Sequence, residues 1–486
     1  MFGVQVKLPF VDTPEGPDPL EQFPITIGSG TTPLLDPFVG LASPACMVAD
    51  PSSPAQEASS GTRPVQAGER VVLLDVLRGF ALGGVFLSNV NVWFSGKMVL
   101  PKPRLDAITS APIDVVFGYL FRFFVGGKLV TIFSFLFGLG FAVQMIRAEA
   151  RGAPVVPTYV RRLLVLLMLG LIHMFVLWYG DILGLYALLG FVLLLFRRRS
   201  DRTLLVWSVV LMLAVPLVVP TLHKYLPLWL TSQEAVDAAA REAAAHSTTL
   251  KADTLAAFES GSYVVAMRGN AIYLQIFLAH ISFVVFCAVT VGKFLLGFYA
   301  GRRRLFHEPE KHLGLFRRLL GWGLAAGLLA NTFIGVLRYL QRSERVPTEL
   351  SWGFLLGWVS QIGDIGMGMF YVSVMTLLFQ RPAWRRALSA LAPAGRMALT
   401  NYLSQTVIAL LIFYGFGLGL MGKVGTAAGL GMIAGLFAVQ MLASWLWLAR
   451  LQFGPAEWLW RSLTYGRAQA MRRRPEPAEA EPAVAP

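Results

Sequence analysis

Cysteine is almost missing from this chain: its 486 residues hold two, Cys46 and Cys287. Neither has a metal-ligand spacing, and the pair implies no disulfide framework. Charge is scarce as well, at 14% of residues against about 25% in an ordinary soluble domain. With 55% apolar residues, that shortage excludes a surface built mainly to face water. Acidic residues are outnumbered by basic ones, 28 to 42, for a net charge of +14. Such an excess can mark nucleic-acid binding, but here the bases cluster in short loops between apolar segments. That distribution is a membrane-topology signal, so nucleic acid is not among the expected partners. The motifs GxSxG, HExxH and GxxxxGK[ST] are absent, which removes the common hydrolase, zinc-protease and phosphate-loop readings. No metal site is expected.

What the chain has in abundance is long apolar runs. Ten strong ones lie near 72–94, 128–146, 161–178, 182–197, 203–220, 273–299, 316–338, 353–379, 389–415 and 425–449. A run of about 20 apolar residues crosses a hydrocarbon core of ~30 Å. The expected fold is therefore an all-α integral membrane protein, a polytopic bundle of about ten transmembrane helices. A weaker segment, Ile113 to Val125, contains Arg122 and reads as an interfacial or re-entrant helix. With ten spans, the loops at 147–162, 197–202, 300–318 and 380–388 fall on one side and are rich in Lys and Arg, while the loops opposite are poorer in them or balanced by acids. The positive-inside rule makes that side, and both termini, cytoplasmic. Residues 1–68 are rich in Pro, Ser, Gly and Thr and read as a disordered extension, or as the product of a start codon set too early. Residues 69–467 form the membrane domain, with a long outside loop at about 221–272 whose Ala-rich centre, Glu234 to Ala257, reads as an amphipathic helix. Residues 468–486 read as a disordered tail.

Polar residues inside spans are expensive and mark interiors or cavities. The first span, LLDVLRGFALGGVFLSNVNVW from Leu73 to Trp93, opens with Asp75 and Arg78, which share a helix face at i, i+3. At ~1.5 Å per residue, Asn89 and Asn91 lie ~20 Å further out. With Lys128, His173, Asp181 and His280 they form an outer group. Arg78, Lys293 and Arg396 lie toward the cytoplasm. Gln361, Asp364, Asn401 and Gln405 lie near mid-membrane, where Asn401 and Gln405 also suit interhelical hydrogen bonds. Asp364, in WVSQIGDIGMGMFY, is far from either end of its span.

Several segments together resemble a known group: LDVLRGFALGGVFLSNV, FVGGKLVTIFSFLFGLGFA, RRLLVLLMLGLIHMFVLWYGDILGLYALLG, GRMALTNYLSQT and GPAEWLWRSLTYGR. Their order and content, over about Arg70 to Arg467, resemble the YeiB-like family of bacterial membrane proteins, the domain of unknown function numbered 418. That family is in turn distantly similar to membrane acyltransferases such as heparan-alpha-glucosaminide N-acetyltransferase. The resemblance implies transfer of an acyl group from cytosolic acyl-coenzyme A, as co-substrate, to an acceptor on the periplasmic side of a bacterial inner membrane. Asp75, Arg78, Gly79 and Asn89 match the opening D-x-x-R-G followed by Asn. The acetyltransferase carries its catalytic His soon after that Asn, and Val90 to Pro112 has none, so another base is required.

The expected catalytic set is then His173 as base, Asp181 orienting it or holding the acceptor, and Asn89 stabilising the oxyanion, with Arg78 and Arg396 on the coenzyme phosphates. Asp75, Asn91, Lys128, His280, Asp364, Asn401 and Gln405 are expected as substrate-contacting or structural polar groups. Expected partners are the lipid bilayer, a cell-envelope glycan or lipid-linked acceptor, and a second copy in a homodimer. The competing expectation is a transporter or exporter of a small polar or lipid-linked solute, with Asp364, His173 and His280 as a proton path.

Overall fold

The computed structural model describes residues 71–472 apart from 153 and 348–351. The expectations for residues 1–68 and for the tail beyond Arg472 fall outside them. Among the described residues every regular element is a helix. In chain order these are α1 (Val72–Asn89), α2 (Lys102–Ala107), α3 (Pro112–Phe124), α4 (Lys128–Ala150), α5 (Val155–Ile172) and α6 (Leu183–Phe196). There follow α7 (Asp201–Val209), α8 (Val215–Leu230), α9 (Gln233–Glu259), α10 (Tyr263–Ala279), α11 (Ile281–Arg302) and α12 (Leu313–Arg342). The last six are α13 (Leu356–Phe379), α14 (Pro382–Leu388), α15 (Ala392–Arg396), α16 (Ala398–Phe413), α17 (Thr426–Arg450) and α18 (Pro455–Tyr465).

The starts obey local chemistry. Proline, whose missing N–H is no loss at a first turn, opens α3, α14 and α18. Ser200, Ser232 and Ser262 cap α7, α9 and α10 by accepting from Thr203, Ala235 and Val265 backbone N–H groups, as short hydroxyl side chains do. Ordered this way, the chain is a polytopic α-helical membrane protein.

Among the described residues eight helical runs are long and apolar enough to cross a membrane, nine if the pair Pro382–Arg396 and Ala398–Phe413, bent by 74°, is one span. The expectation of about ten differs by the segment at 182–197. It is the 14-residue α6, about 21 Å long at the helical rise and short of a ~30 Å core. The weak segment at 113–125 is α3, which joins α4 in a 39-residue run, Pro112–Ala150. The segment read as continuous at 273–299 is broken at His280, between α10 and α11. The Ala-rich stretch is helical throughout α9.

Packing follows the apolar stripes: α12 lies along α13, α4 along α11, α5 along α6, and α1 against α15 and α4. The contact between α1 and α15 is backbone on backbone. A Cβ on Gly79 would sit 2.2 Å from the Leu391 carbonyl oxygen, and one on Gly395 would sit 1.9 Å from that of Asp75. The glycine of D-x-x-R-G is thus a docking surface for the stretch that ends in Arg396.

Candidate functional site

The helices of α1, α4, α5, α6, α16 and α18 enclose a cavity of about 300 Å³. Its two ends differ. Arg78 on α1, Arg147 on α4, Arg162 on α5, Arg396 on α15 and Arg461 on α18 line one end. Val85, Phe133, Ile182, Leu183, Tyr186 and Tyr402 line the other. Phe133 to Arg147 runs along α4 for about 20 Å at the helical rise, so the space is a shaft with a cationic mouth and an apolar floor.

The mouth is held by specific contacts. Arg78 pairs with Asp75 at 2.8 Å. Arg162 stacks on Trp460 at 3.9 Å from the ring centre, and Arg461 lies over Phe453 at 4.7 Å. Arg396 donates to the Gln452 carbonyl at 3.3 Å. The carboxylate of Glu457 is spent on structure. Its Oε1 accepts from the Leu399 and Thr400 backbone N–H groups at 2.6 and 3.1 Å, and its Oε2 accepts from the Thr400 hydroxyl at 2.6 Å. Those orphan donors begin α16. Burial raises the Glu457 carboxyl above its ordinary range, against these hydrogen bonds. Burial lowers the imidazole of His307 at the mouth, and Arg147 and Arg304 lower it further.

Behind the floor lies a second arrangement. At its C-terminal end α5 turns into a π-helical stretch, His173–Leu177, a local widening often found at functional positions. It ends at Trp178, whose backbone is extended, and the chain doubles back through Asp181 into α6. Gly170 and Gly184 meet at this return: a Cβ on Gly170 would lie 2.1 Å from Gly184 N and 2.9 Å from Asp181 Oδ2. The close approach sets the carboxylate beside the imidazole. His173 Nδ1 is 2.9 Å from Asp181 Oδ1, with side chains 1% and 0% exposed. The two atoms touch without good hydrogen-bond alignment, a looseness common in sites without substrate. Asp181 Oδ2 accepts from Gly184 N at 2.6 Å. His173 Nε2 is 3.0 Å from Thr406 Oγ1, and the His173 ring packs 5.2 Å from that of Tyr402. Tyr402 is therefore shared: it lines the shaft and covers the imidazole, while its hydroxyl accepts from Ile182 N at 3.3 Å.

The other expected residues lie elsewhere. Lys128 Nζ is 2.9 Å from Asp364 Oδ1 and donates to the Arg122 carbonyl at 2.6 Å. Lys293 is buried on α11, near enough to feel the Asp364 charge. Neither Asp364 nor Lys128 lines the shaft. Asn401 donates to Ser444 Oγ at 3.0 Å and to the Ala394 carbonyl at 3.2 Å. Gln405 donates to Gln440 at 3.0 Å. Both act as interhelical links to α17 and the end of α15.

Asn91 accepts from Lys97 Nζ at 2.7 Å, and that ammonium also reaches Thr426 Oγ1 at 2.8 Å. Burial pushes the Lys97 amine from its ordinary 10.5 down to about 8, with Asp114 opposing. Asn89 is half-buried at the end of α1 and makes no recorded hydrogen bond to His173 or Asp181. His280, expected in the outer group, is an exposed N-cap of α11 whose Nδ1 accepts from Ser282 N at 3.2 Å. Among the described residues no cluster of three or more His, Cys, Asp or Glu side chains forms a metal-ligand set.

Five shaft or floor residues were not singled out from sequence: Arg147, Arg162 and Arg461 among the arginines, and Tyr402 with Thr406. The last two were legible as an i, i+4 pair in NYLSQT, on a different face from Asn401 and Gln405.

A family model for "Protein of unknown function (DUF418)" matches residues 300–467. The chain is 37% identical over 422 residues to the uncharacterized protein YxaH of Bacillus subtilis (strain 168), covering 84% of this chain and 97% of that one. It is 31% identical over 404 residues to an uncharacterized 39.9 kDa protein encoded in the amylase 3' region of Bacillus acidopullulyticus, covering 83% and 96%. It is 27% identical over 408 residues to the uncharacterized protein YeiB of Escherichia coli (strain K12), covering 82% and 96%. The chain belongs to this YeiB-like DUF418 family. No solved structure matches.

Proposed function

We propose that this protein is an integral-membrane acyltransferase of the bacterial inner membrane. It takes an acyl group from cytosolic acyl-coenzyme A and passes it to a cell-envelope glycan or lipid-linked acceptor on the far side. One observation carries the reading: a shaft with five arginines at one end and an apolar floor ends one aromatic ring from a buried imidazole–carboxylate pair. Planar guanidinium groups suit phosphates, and the apolar stretch suits the less polar arm and acyl chain of the donor. With the arginine-rich loops taken as cytoplasmic, the mouth faces the compartment that holds acyl-coenzyme A. His173 is the general base, its Nδ1 facing the Asp181 carboxylate and its Nε2 left to take a proton. Asp181 fixes its orientation, and Arg78 and Arg396 hold the coenzyme phosphates together with Arg147, Arg162 and Arg461. Asn89, with no hydrogen bond to the pair, is given no step in this scheme.

Export of a polar solute past Asp364 has less support. That carboxylate is engaged by Lys128, and the shaft does not pass it.

The test is calorimetric titration of the detergent-purified protein with acetyl-coenzyme A and longer acyl-coenzymes. Saturable binding is expected, weakened about tenfold or more by Arg78→Ala, since a hydrogen bond to a charged group is worth about 1.5–3 kcal/mol. No binding of any acyl-coenzyme A removes the reading.

A further inference from the structure

The buried pair is in fact a row of three. From Thr406 to Asp181 the atoms run hydroxyl, imidazole, carboxylate: Oγ1 to Nε2 at 3.0 Å, then Nδ1 to Oδ1 at 2.9 Å. The far carboxylate oxygen is held by Gly184 N at 2.6 Å. A hydroxyl within reach of a base that is itself oriented by a third group is the signature of an activated nucleophile. A buried threonine in a helix ordinarily has another use for its hydroxyl, donation to the carbonyl four residues back. Thr131, Thr254, Thr376 and Thr464, all buried here, do this at 2.9, 2.7, 2.7 and 2.7 Å. Thr406 stands off its own carbonyl, that of Tyr402, at 3.4 Å and lies closer to the imidazole. Its hydroxyl has been drawn out of the helix and toward His173.

We propose that Thr406 is the nucleophile that carries the acyl group as a covalent ester between donor and acceptor. The inference rests on the acyltransferase reading above and adds a step to it. In the first half-reaction His173 Nε2 takes the Thr406 hydroxyl proton while Oγ1 attacks the thioester carbonyl carbon. The new C–O bond forms and the C–S bond breaks. His173 returns the proton to the departing thiolate, leaving acyl-Thr406 and free coenzyme A. In the second, His173 takes a proton from the acceptor hydroxyl. The acceptor oxygen attacks the ester carbonyl, and the proton passes to Thr406 as its oxygen leaves.

The placement suits this sequence. Tyr402, one turn before Thr406 on the same face of α16, is the floor of the donor shaft, and Thr406 is 2% exposed beneath it. The donor acyl end reaches Thr406 when the Tyr402 ring turns aside. Coenzyme A then never crosses the membrane, because only the acyl group moves past the floor.

The experiment incubates the full-length detergent-purified protein with radiolabelled acetyl-coenzyme A and no acceptor, denatures it, and maps the label by peptide mass spectrometry. One acetyl group is expected on the peptide holding Thr406, released by hydroxylamine as an ester. Thr406→Ser should still label there and Thr406→Val should not. His173→Gln should slow labelling by about 10²–10⁴-fold, the usual span for a lost general base. Calorimetric binding of acetyl-coenzyme A checks that each variant retains its shaft. If Thr406→Val fails to fold, the mapped position in the natural chain and in Thr406→Ser decides. Turnover of acyl-coenzyme A by the natural protein with no ester at Thr406, or equal turnover by Thr406→Val, overturns the covalent carrier and leaves the acyltransferase reading standing. Absence of both donor binding and turnover overturns both.

Discussion

Asp364 and Asp181 each face a nitrogen at 2.9 Å inside the helical bundle, and the likeness ends there. Asp364 meets the ammonium of Lys128, which also donates to the Arg122 carbonyl. That cation anchors the start of α4 to α13 and has nothing further to offer. Asp181 meets an imidazole, and the imidazole has a second nitrogen turned toward a hydroxyl. An ammonium closes a network, whereas an imidazole can pass a proton through it. Only the second carboxylate lies beside a wall of the shaft. A buried carboxylate thus points to chemistry when its partner has another face, and to architecture when it does not.

The sharpest way to break this contrast is to remove one partner of the architectural pair. Lys128→Ala leaves Asp364 buried without its contacting cation, with only the more distant Lys293 to face it, and should cost about 3–5 kcal/mol, read as thermal unfolding in detergent. The double variant Lys128→Met with Asp364→Leu should recover most of the loss. A single-variant cost under ~1 kcal/mol would move Asp364 out of the architectural class. The complementary change, His173→Gln, should leave the unfolding temperature and donor binding nearly unchanged while transfer falls by about 10²–10⁴-fold. A variant with full transfer would make the two carboxylates alike after all.

The smallest effect belongs to a third polar group, Lys97, at the other end of α1. Its amine titrates at about 8 in the folded chain against an ordinary 10.5. Below pH 8 it is charged in both states and the cost of burial stands in full. Between pH 8 and 10.5 only the unfolded chain keeps the proton, so stability should climb with pH. Lys97→Met should flatten that climb in unfolding temperatures measured across the same range, and an unchanged slope would assign it to other groups.

The membrane class and most spans were legible because hydrocarbon admits so few solutions for a backbone. The misses were places where local chemistry overrode hydropathy. The 389–415 segment looked continuous, yet Pro393 and Gly395 lie in it and the chain bends at Met397. The 273–299 segment holds neither Pro nor Gly before His280, and there an imidazole caps a new helix. His173 with Asp181 could be proposed from sequence because they lie close along the chain. Thr406 could be read beside Tyr402 but not beside His173, since it is 233 residues away and only packing brings it to the imidazole. Asp364 stood out by its depth, but depth does not reveal a partner, and Lys128 comes from another helix.

That distance of 233 residues also orders events in time. The ribosome delivers His173 and Asp181 to the membrane on the order of ten seconds or more before Thr406, at ~5–20 residues per second. Through that interval the imidazole is in place with no Thr406 hydroxyl opposite it, and the arginines of α15 and α18 have not been made. Under the proposed scheme, a chain that ends before α16 therefore carries a base without its nucleophile. Synthesis would then withhold the proposed chemistry until the shaft is nearly complete.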